Sequence, residues 1–353
     1  MAEPVERGNF FEDFRLGQVF DHATPRTVGA GDAALYLALT GSRFAVNCSD
    51  PFAQDIGYRA APLDDVLVFN LVFGKSVPDI SLNAIANLGY ADCRFGAPVY
   101  PGDTLRARSR IIGLRENANR KSGIAYVRTR GENQRGETIV DYVRWVMVQK
   151  RGPAAPAPPA TVPDLPATVA PEHLIVPADL DLKKYDRALA GSPLGFDDYA
   201  VGARIDHGDG MTIEEAEHAL ATRLYQNSAR VHFDAHRARA QPGGPAKGRR
   251  LVYGGHVISV ARALSFNGLA NAFHIAAING GRHVAPIVAG DTIYAWSAVL
   301  AKAALPGRAD LGALRLRTIA ARNRPCADFP DRTGDADDPA LVLDLDYWVL
   351  MPR

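Results

Sequence analysis

The sequence is poor in cysteine: 353 residues contain only Cys48, Cys93 and Cys326, all far apart. Isolated cysteines provide neither a disulfide framework nor the paired spacing of a zinc site. Neither sign of charge is in excess, because 40 Lys and Arg residues balance 39 Asp and Glu residues. This balance argues against the broad positive surface that binds nucleic acid. No apolar run reaches the roughly 18 residues that a membrane helix needs, so we expect no membrane association.

Sequence motifs for targeting and for nucleotide binding are also missing. The first residues, MAEPVERGNFFEDF, carry too many charges for a secretory signal, which predicts a cytoplasmic protein. No glycine-rich GxGxxG segment follows a predicted strand and no P-loop is found, so nucleotide-binding folds have no support. Apolar residues make up 47% and charged residues 22% of the chain, which is typical of a globular protein.

A proline-rich segment divides the chain. Seven of the residues in 151–171 are proline, and most of the others are alanine or small. This composition favours an extended, semi-rigid linker without a packed core. The sequence therefore predicts a front half over 1–150, a linker over 151–171 and a back half over 172–353, each half large enough for its own core.

The two halves resemble each other. Three segments of the front half recur in the same order in the back half: FEDFRLGQVFDH with FDDYAVGARIDH (from Phe11 and Phe196), PVYPGDTL with PIVAGDTI (from Pro98 and Pro286), and the strand-like segments around Trp145 and Trp348. Self-similarity in a fixed order indicates an internal duplication.

Each half has the pattern of one helix and several strands. Apolar residues with helical spacing predict helices around 66–75 and 257–267. Alternating segments such as VDYVRWVMV and LVLDLDYWVL predict strands later in each half. This order of elements favours an α+β fold in which antiparallel strands wrap a helix.

Four features of the back half lie in an order that resembles a known family. Asp206-His207 is followed by Asn227 and, five residues later, His232; Gly254-Gly255 then opens an apolar helix, and Ala-Gly-Asp-Thr follows at 289–292. The pattern resembles the MaoC-like, (R)-specific enoyl-CoA hydratases. The resemblance implies a double hot dog with two antiparallel sheets, each wrapping a central helix. It also implies reversible hydration of a CoA-ester substrate, no further cofactor, and a homodimer.

The resemblance implies one active site, built by the back half. The family motif has Asp and then His five positions on, where this chain has Asn227 and His232, and the front half has Ser42 and Asn47. His232 is implied as general base and acid, since an imidazole titrates near neutral pH. Asn227 can orient a water but cannot exchange its proton as a carboxylate can. Further candidates for a proton-transfer or binding role are Tyr225, Asp234 and His256.

Two other positions are implied to contact the substrate. Backbone N–H groups at Gly254 and Gly255 are expected to stabilise the thioester oxygen, whereas the front half has Asp64-Asp65 there. Arg230 stands where the family motif has proline and could bind a carboxylate, which favours mesaconyl-CoA and its hydration to β-methylmalyl-CoA over a simple acyl ester. The same arginine could instead face the CoA phosphates.

Other interpretations stay open on the sequence alone. His232 and His236 are four residues apart, but the glutamate of a zinc motif and a third ligand are missing, so no metal is predicted. The substrate could be another enoyl-CoA, of the (R)-3-hydroxyacyl or itaconyl type. The chain could also be a thioesterase, or a non-catalytic acyl-CoA-binding subunit, since Asn227 breaks the catalytic pair of the family.

Overall fold

The helices and strands follow the same order in both halves. The structure, a computed structural model, describes residues 8–240, 242–243, 246–334 and 336–353. Its helices are α1 (Ala30–Thr40), α2 (Ala45–Cys48), α3 (Asp50–Asp55), α4 (Asp65–Ser76), α5 (Glu215–Leu224), α6 (Ala235–Arg239), α7 (Gly254–Leu264) and α8 (Phe266–Leu269). Its strands are β1 (Val19–Thr27), β2 (Ala84–Phe95), β3 (Thr104–Glu116), β4 (Ser122–Glu132), β5 (Thr138–Gln149), β6 (Arg204–Asp206), β7 (Met211–Thr212), β8 (His274–His283), β9 (Thr292–Leu305), β10 (Arg308–Arg322) and β11 (Leu341–Pro352).

The two central helices are α4 and α7, as the apolar spacing predicts. Helix α4 begins where the Asp64 side chain accepts a hydrogen bond from the N–H of Val66, which satisfies one of the free donors of the first turn. Helix α7 ends at Leu264, three residues before the predicted end, because Asn267 and Gly268 have non-helical backbone angles. Nearly every side chain of both helices is buried. Both therefore lie in the core and carry no solvated face.

All strands belong to one antiparallel sheet. The strand order is β1-β3-β4-β5-β2-β8-β11-β10-β9-β6, with β7 paired to β9. The halves join where β2 pairs with β8, Tyr90 opposite Gly281 and Arg94 opposite Ala277. The resemblance implied two antiparallel sheets, and this was wrong in one respect: the five strands of the front half and the six of the back half form one continuous sheet. Pairing the two edge strands satisfies backbone groups that each half would otherwise leave open.

The core also extends across both halves. The largest apolar cluster contains residues of α4 and α7 together with the inward faces of strands from both halves. The two helices touch where the Asn70 side chain donates to the carbonyl of Gly255 at 3.1 Å. Residues of one half therefore complete the surroundings of the central helix of the other.

The proline-rich segment runs along the surface. Between 151 and 170 the structure has no helix or strand, only one isolated bridge between Thr161 and Leu114. Its far end is held by Val169, whose N–H donates to Asn279 and whose carbonyl accepts from the Trp348 indole. Across the described ranges, no helix is long and apolar enough to cross a membrane.

Candidate active site

A cavity of about 290 Å³ opens between the two halves. The back half contributes the loop 227–232, the start of α7 and the end of β8, and the front half contributes α4, β2 and β5. The lining is largely apolar, with a few polar side chains among it. A pocket of this kind at a junction between two units is the usual setting of a ligand site.

His232 lies in the wall of this cavity with 8% of its surface exposed. It ends the short 3₁₀ turn Arg230–His232. Its Nδ1 lies 2.9 Å from the carbonyl oxygen of Leu251, and a carbonyl can only accept, so Nδ1 carries the proton. Burial lowers the pKa of His232 to about 4. The ring is therefore neutral near pH 7, and its Nε2 lone pair is free to accept a proton.

Asn227 lines the same cavity and is also buried. Its side-chain oxygen accepts the N–H of Ala229 at 3.0 Å, which fixes the loop that leads to His232. The loop rests on α4, because a Cβ built on Gly74 would lie only 1.8 Å from the carbonyl oxygen of Tyr225. Because Gly74 has no side chain, the backbone of the back-half loop can approach α4 this closely.

The N-terminus of α7 also reaches the cavity. Gly254, its first residue, is part of the lining, and a Cβ there would lie 2.4 Å from the His283 ring. Gly255 is not in the lining and packs against Asn70 and the Tyr253 ring. The first N–H groups of a helix have no partner within the helix and carry its positive end. The structure therefore places a potential oxyanion donor, Gly254, in the same cavity as His232.

Besides Gly255, four other predicted residues do not line the cavity. Arg230 is outside the lining, although Ala229 and Val231 on either side of it contribute. Tyr225 and His256 are fully buried behind the wall, where His256 Nε2 pairs with Glu217 at 2.8 Å. Asp234, a further candidate, caps α6 by accepting the N–H of Arg237. The carboxylate-binding role predicted for Arg230 thus gets no support from where the side chain lies.

Sequence reasoning missed several polar residues of the front half. Arg144 on β5 lines the cavity and is fully buried, and Asn87 and Tyr90 on β2 lie in the same wall. The Tyr90 hydroxyl lies 3.1 Å from His283 Nε2 of the back half. A signal for Arg144 does exist in the sequence, because it stands at an inward position of an alternating apolar strand, where an arginine is unexpected.

The front half retains a much smaller cavity, about 20 Å³, at the equivalent place. There the Asn47 amide donates to the carbonyl of Pro62, repeating the bond from His232 to Leu251. Asp65 stands at the position of Gly254 and pairs with His274 at 3.0 Å. A carboxylate of the chain thus already occupies the N-terminal end of α4.

Comparison with known proteins shows which family the chain resembles. A family model described as mesaconyl-CoA hydratase matches residues 1–330. A β-methylmalyl-CoA dehydratase of Chloroflexus aurantiacus is 61% identical, over 100% of this chain and 99% of its own length. A mesaconyl-CoA hydratase of Cereibacter sphaeroides is 57% identical over 98% of each chain.

Solved structures confirm the fold. A MaoC domain protein dehydratase from Chloroflexus aurantiacus superposes with a TM-score of 0.95 at 61% identity, covering 100% of this chain and 99% of its own. A Mycobacterium tuberculosis protein described as a double hotdog fold has a TM-score of 0.73 at 26% identity and covers 98% of each chain. The predicted α+β double hot dog and the MaoC-like resemblance are therefore confirmed, and the chain belongs to the mesaconyl-CoA hydratase family.

Proposed function

We propose that this chain is a hydro-lyase that reversibly adds water to mesaconyl-CoA, giving β-methylmalyl-CoA. The observation that carries the proposal is the buried, neutral His232, whose Nε2 is free for a proton in a cavity that both halves enclose. Relatives named for the two directions of this reaction, at 61% and 57% identity, support the same substrate and product.

The first step is activation of water. A water held between His232 Nε2 and the Asn227 amide gives its proton to the histidine as its oxygen bonds to the β-carbon of the acyl chain. The hydrogen bond from Nδ1 to Leu251 keeps the ring oriented and stabilises the imidazolium that forms. Asn227 only positions the water, because its amide does not gain or lose a proton near neutral pH.

The electrons of the double bond move to the thioester oxygen as the new carbon–oxygen bond forms. In our proposal this oxygen lies at the N-terminus of α7, where the N–H group of Gly254 stabilises the developing enolate. The positive end of the helix dipole acts in the same direction.

The second step returns the proton. His232 passes the proton from Nε2 to the α-carbon, the thioester carbonyl re-forms, and the ring is neutral again. Water has then been added across the double bond with no net change in the enzyme. These steps use only side chains, backbone and the CoA ester, so we propose that no further cofactor takes part. The cytoplasmic location and the homodimer stay predictions from the sequence.

The test is the His232→Gln variant, assayed by the loss of the enoyl thioester absorbance with mesaconyl-CoA. We expect kcat to fall on the order of 100-fold or more, the usual contribution of a positioned acid or base. The His236→Gln variant, which changes an exposed histidine four residues away, is the matched control and should keep full activity. Undiminished turnover in His232→Gln would remove this residue from the mechanism, and release of free CoA thiol by the unmodified chain would indicate a thioesterase.

A further inference from the structure

The side chain of Arg144 is the most unusual charge in the protein. It lies on β5 of the front half with none of its surface exposed, in the wall of the shared cavity. Its Nη2 donates to the hydroxyl oxygens of Ser76 and Ser81, at 3.0 and 3.3 Å, and its guanidinium carbon lies 4.2 Å from the centre of the Phe73 ring. Throughout the described ranges, no carboxylate lies within ion-pair distance of it, and its Nε and Nη1 have no hydrogen-bond partner.

A buried guanidinium without a counter-ion is costly. An arginine stays charged at any pH a protein experiences, and a charge removed from water is stable only when it is paired and fully hydrogen-bonded. The two hydroxyl dipoles and the π face of the Phe73 ring provide only partial negative charge. Among the described residues, Arg144 therefore has no full negative charge beside it.

Other polar groups without partners lie in the same wall. Neither side-chain polar atom of Asn87 has a partner within the part of the chain that the structure describes, and the same holds for the Tyr253 hydroxyl. Both residues line the cavity with Arg144. Buried polar atoms are nearly always hydrogen-bonded, so unpartnered ones in the same cavity wall as a buried cation indicate that a polar, anionic ligand completes the site.

The fold itself does not require an arginine at this position. The internal duplication aligns Arg144 with Tyr347: Arg144 lies opposite Val127 on β4, and Tyr347 lies opposite Leu316 at the same place in the back half. The Tyr347 hydroxyl is satisfied by Thr318 at 2.9 Å. The charge is thus present only in the copy that faces the large cavity.

We propose that Arg144 binds the free carboxylate of the acyl chain and thereby selects a CoA ester that ends in a carboxylate. This inference rests on the proposed function, since it assigns one end of that substrate. In mesaconyl-CoA the carboxylate is attached to the β-carbon, the carbon that the water attacks. A guanidinium there forms charge-assisted hydrogen bonds and offsets the negative charge that would otherwise oppose the incoming oxygen. The front half, which lacks the catalytic histidine, thus provides the specificity of the site.

The experiment compares two substrates that differ only at this group. Mesaconyl-CoA and (E)-2-methylcrotonyl-CoA have the same skeleton, with a carboxylate in one and a methyl in the other. In Arg144→Met we expect the kcat/KM ratio of mesaconyl-CoA over methylcrotonyl-CoA to fall on the order of 100-fold or more, since hydrogen bonds between charged groups are lost. Arg130→Met, an exposed, ion-paired arginine on β4, is the matched control and should leave the ratio unchanged.

Stability separates this role from a structural one. Arg144→Met removes a buried unpaired charge, so its Tm without ligand should equal or exceed that of the unmodified chain. The hydration product, β-methylmalyl-CoA, should raise the Tm of the unmodified chain more than that of the variant. A lower Tm together with an unchanged substrate ratio would assign Arg144 to the fold and overturn the inference. If the unmodified chain itself shows no preference for mesaconyl-CoA, the proposed function fails instead, so the two failures are distinguishable.

Discussion

The contact between Gly74 and the loop that leads from Tyr225 to His232 gives a sharp test of how the two halves cooperate. In Gly74→Ala the new Cβ would lie 1.8 Å from the Tyr225 carbonyl oxygen and 3.2 Å from the Asn227 nitrogen. Real carbon–oxygen contacts stay above 3.0 Å, so the loop must retreat by about 1 Å, a displacement that can cost on the order of 100-fold in rate. We expect kcat for mesaconyl-CoA to fall by about that factor, because Asn227, the residue that we propose to hold the water, would move away from the substrate.

The effect on stability should be much smaller than the effect on rate. Overpacking costs about 1–3 kcal/mol, while alanine in place of glycine inside a helix returns about 1 kcal/mol. The free energy of unfolding, measured in urea, should therefore fall by roughly 2 kcal/mol or less. Gly31→Ala in α1 is the matched control, because a Cβ there meets nothing within 4 Å, and it should keep both activity and stability. Full activity in Gly74→Ala would refute the view that α4 positions the loop.

Two further predictions concern pH and the joining of the halves. Burial lowers the pKa of His207 to about 4, so stability is fully present above the unfolded pKa near 6.5, and up to about 3 kcal/mol of it is lost as the pH falls towards 4. In urea unfolding, His207→Gln should lose less stability between pH 7 and pH 4.5 than the unmodified chain, whereas the control, exposed His173→Gln, should lose as much as the unmodified chain. An equal loss in His207→Gln would contradict this origin of the pH dependence. When a chain divided after Ala157 is co-expressed as two pieces, the pieces should assemble through β2 and β8 and copurify with hydratase activity. Piece 158–353 alone should be inactive, because it lacks Phe73 and Arg144 of the cavity wall. Activity in that piece would mean that the back half suffices.

Local patterns in the sequence were enough to predict the architecture of each half. Helical spacing located α4 and α7, and alternation located β5 and β11, because burial of one face imposes a period on the sequence. The pairing of β2 with β8 was not predictable, since no short-range pattern specifies which edge strands meet. For that reason the sequence indicated two sheets where the structure has one.

The sequence predicted residues that the back half contributes to the candidate site, but it did not predict those of the front half. The motif spacing located His232, Asn227 and Gly254, which the structure brings together in one cavity. Arg230 was assigned from its place in the motif, but side chains two apart in a 3₁₀ turn diverge widely, so Arg230 and His232 face different surroundings. Which residues the front half contributes depends on long-range packing that the sequence does not specify. One signal was present, because Arg144 stands at an inward position of the alternating strand β5.

The structure of the His232→Gln chain with bound mesaconyl-CoA would test the proposed mechanism most directly. We predict that the acyl chain lies in the shared cavity, with its β-carbon facing residue 232, its thioester oxygen at the start of α7 and its carboxylate on Arg144. An acyl chain bound outside this cavity, or one with its carboxylate turned away from Arg144 and its β-carbon out of reach of residue 232, would contradict it.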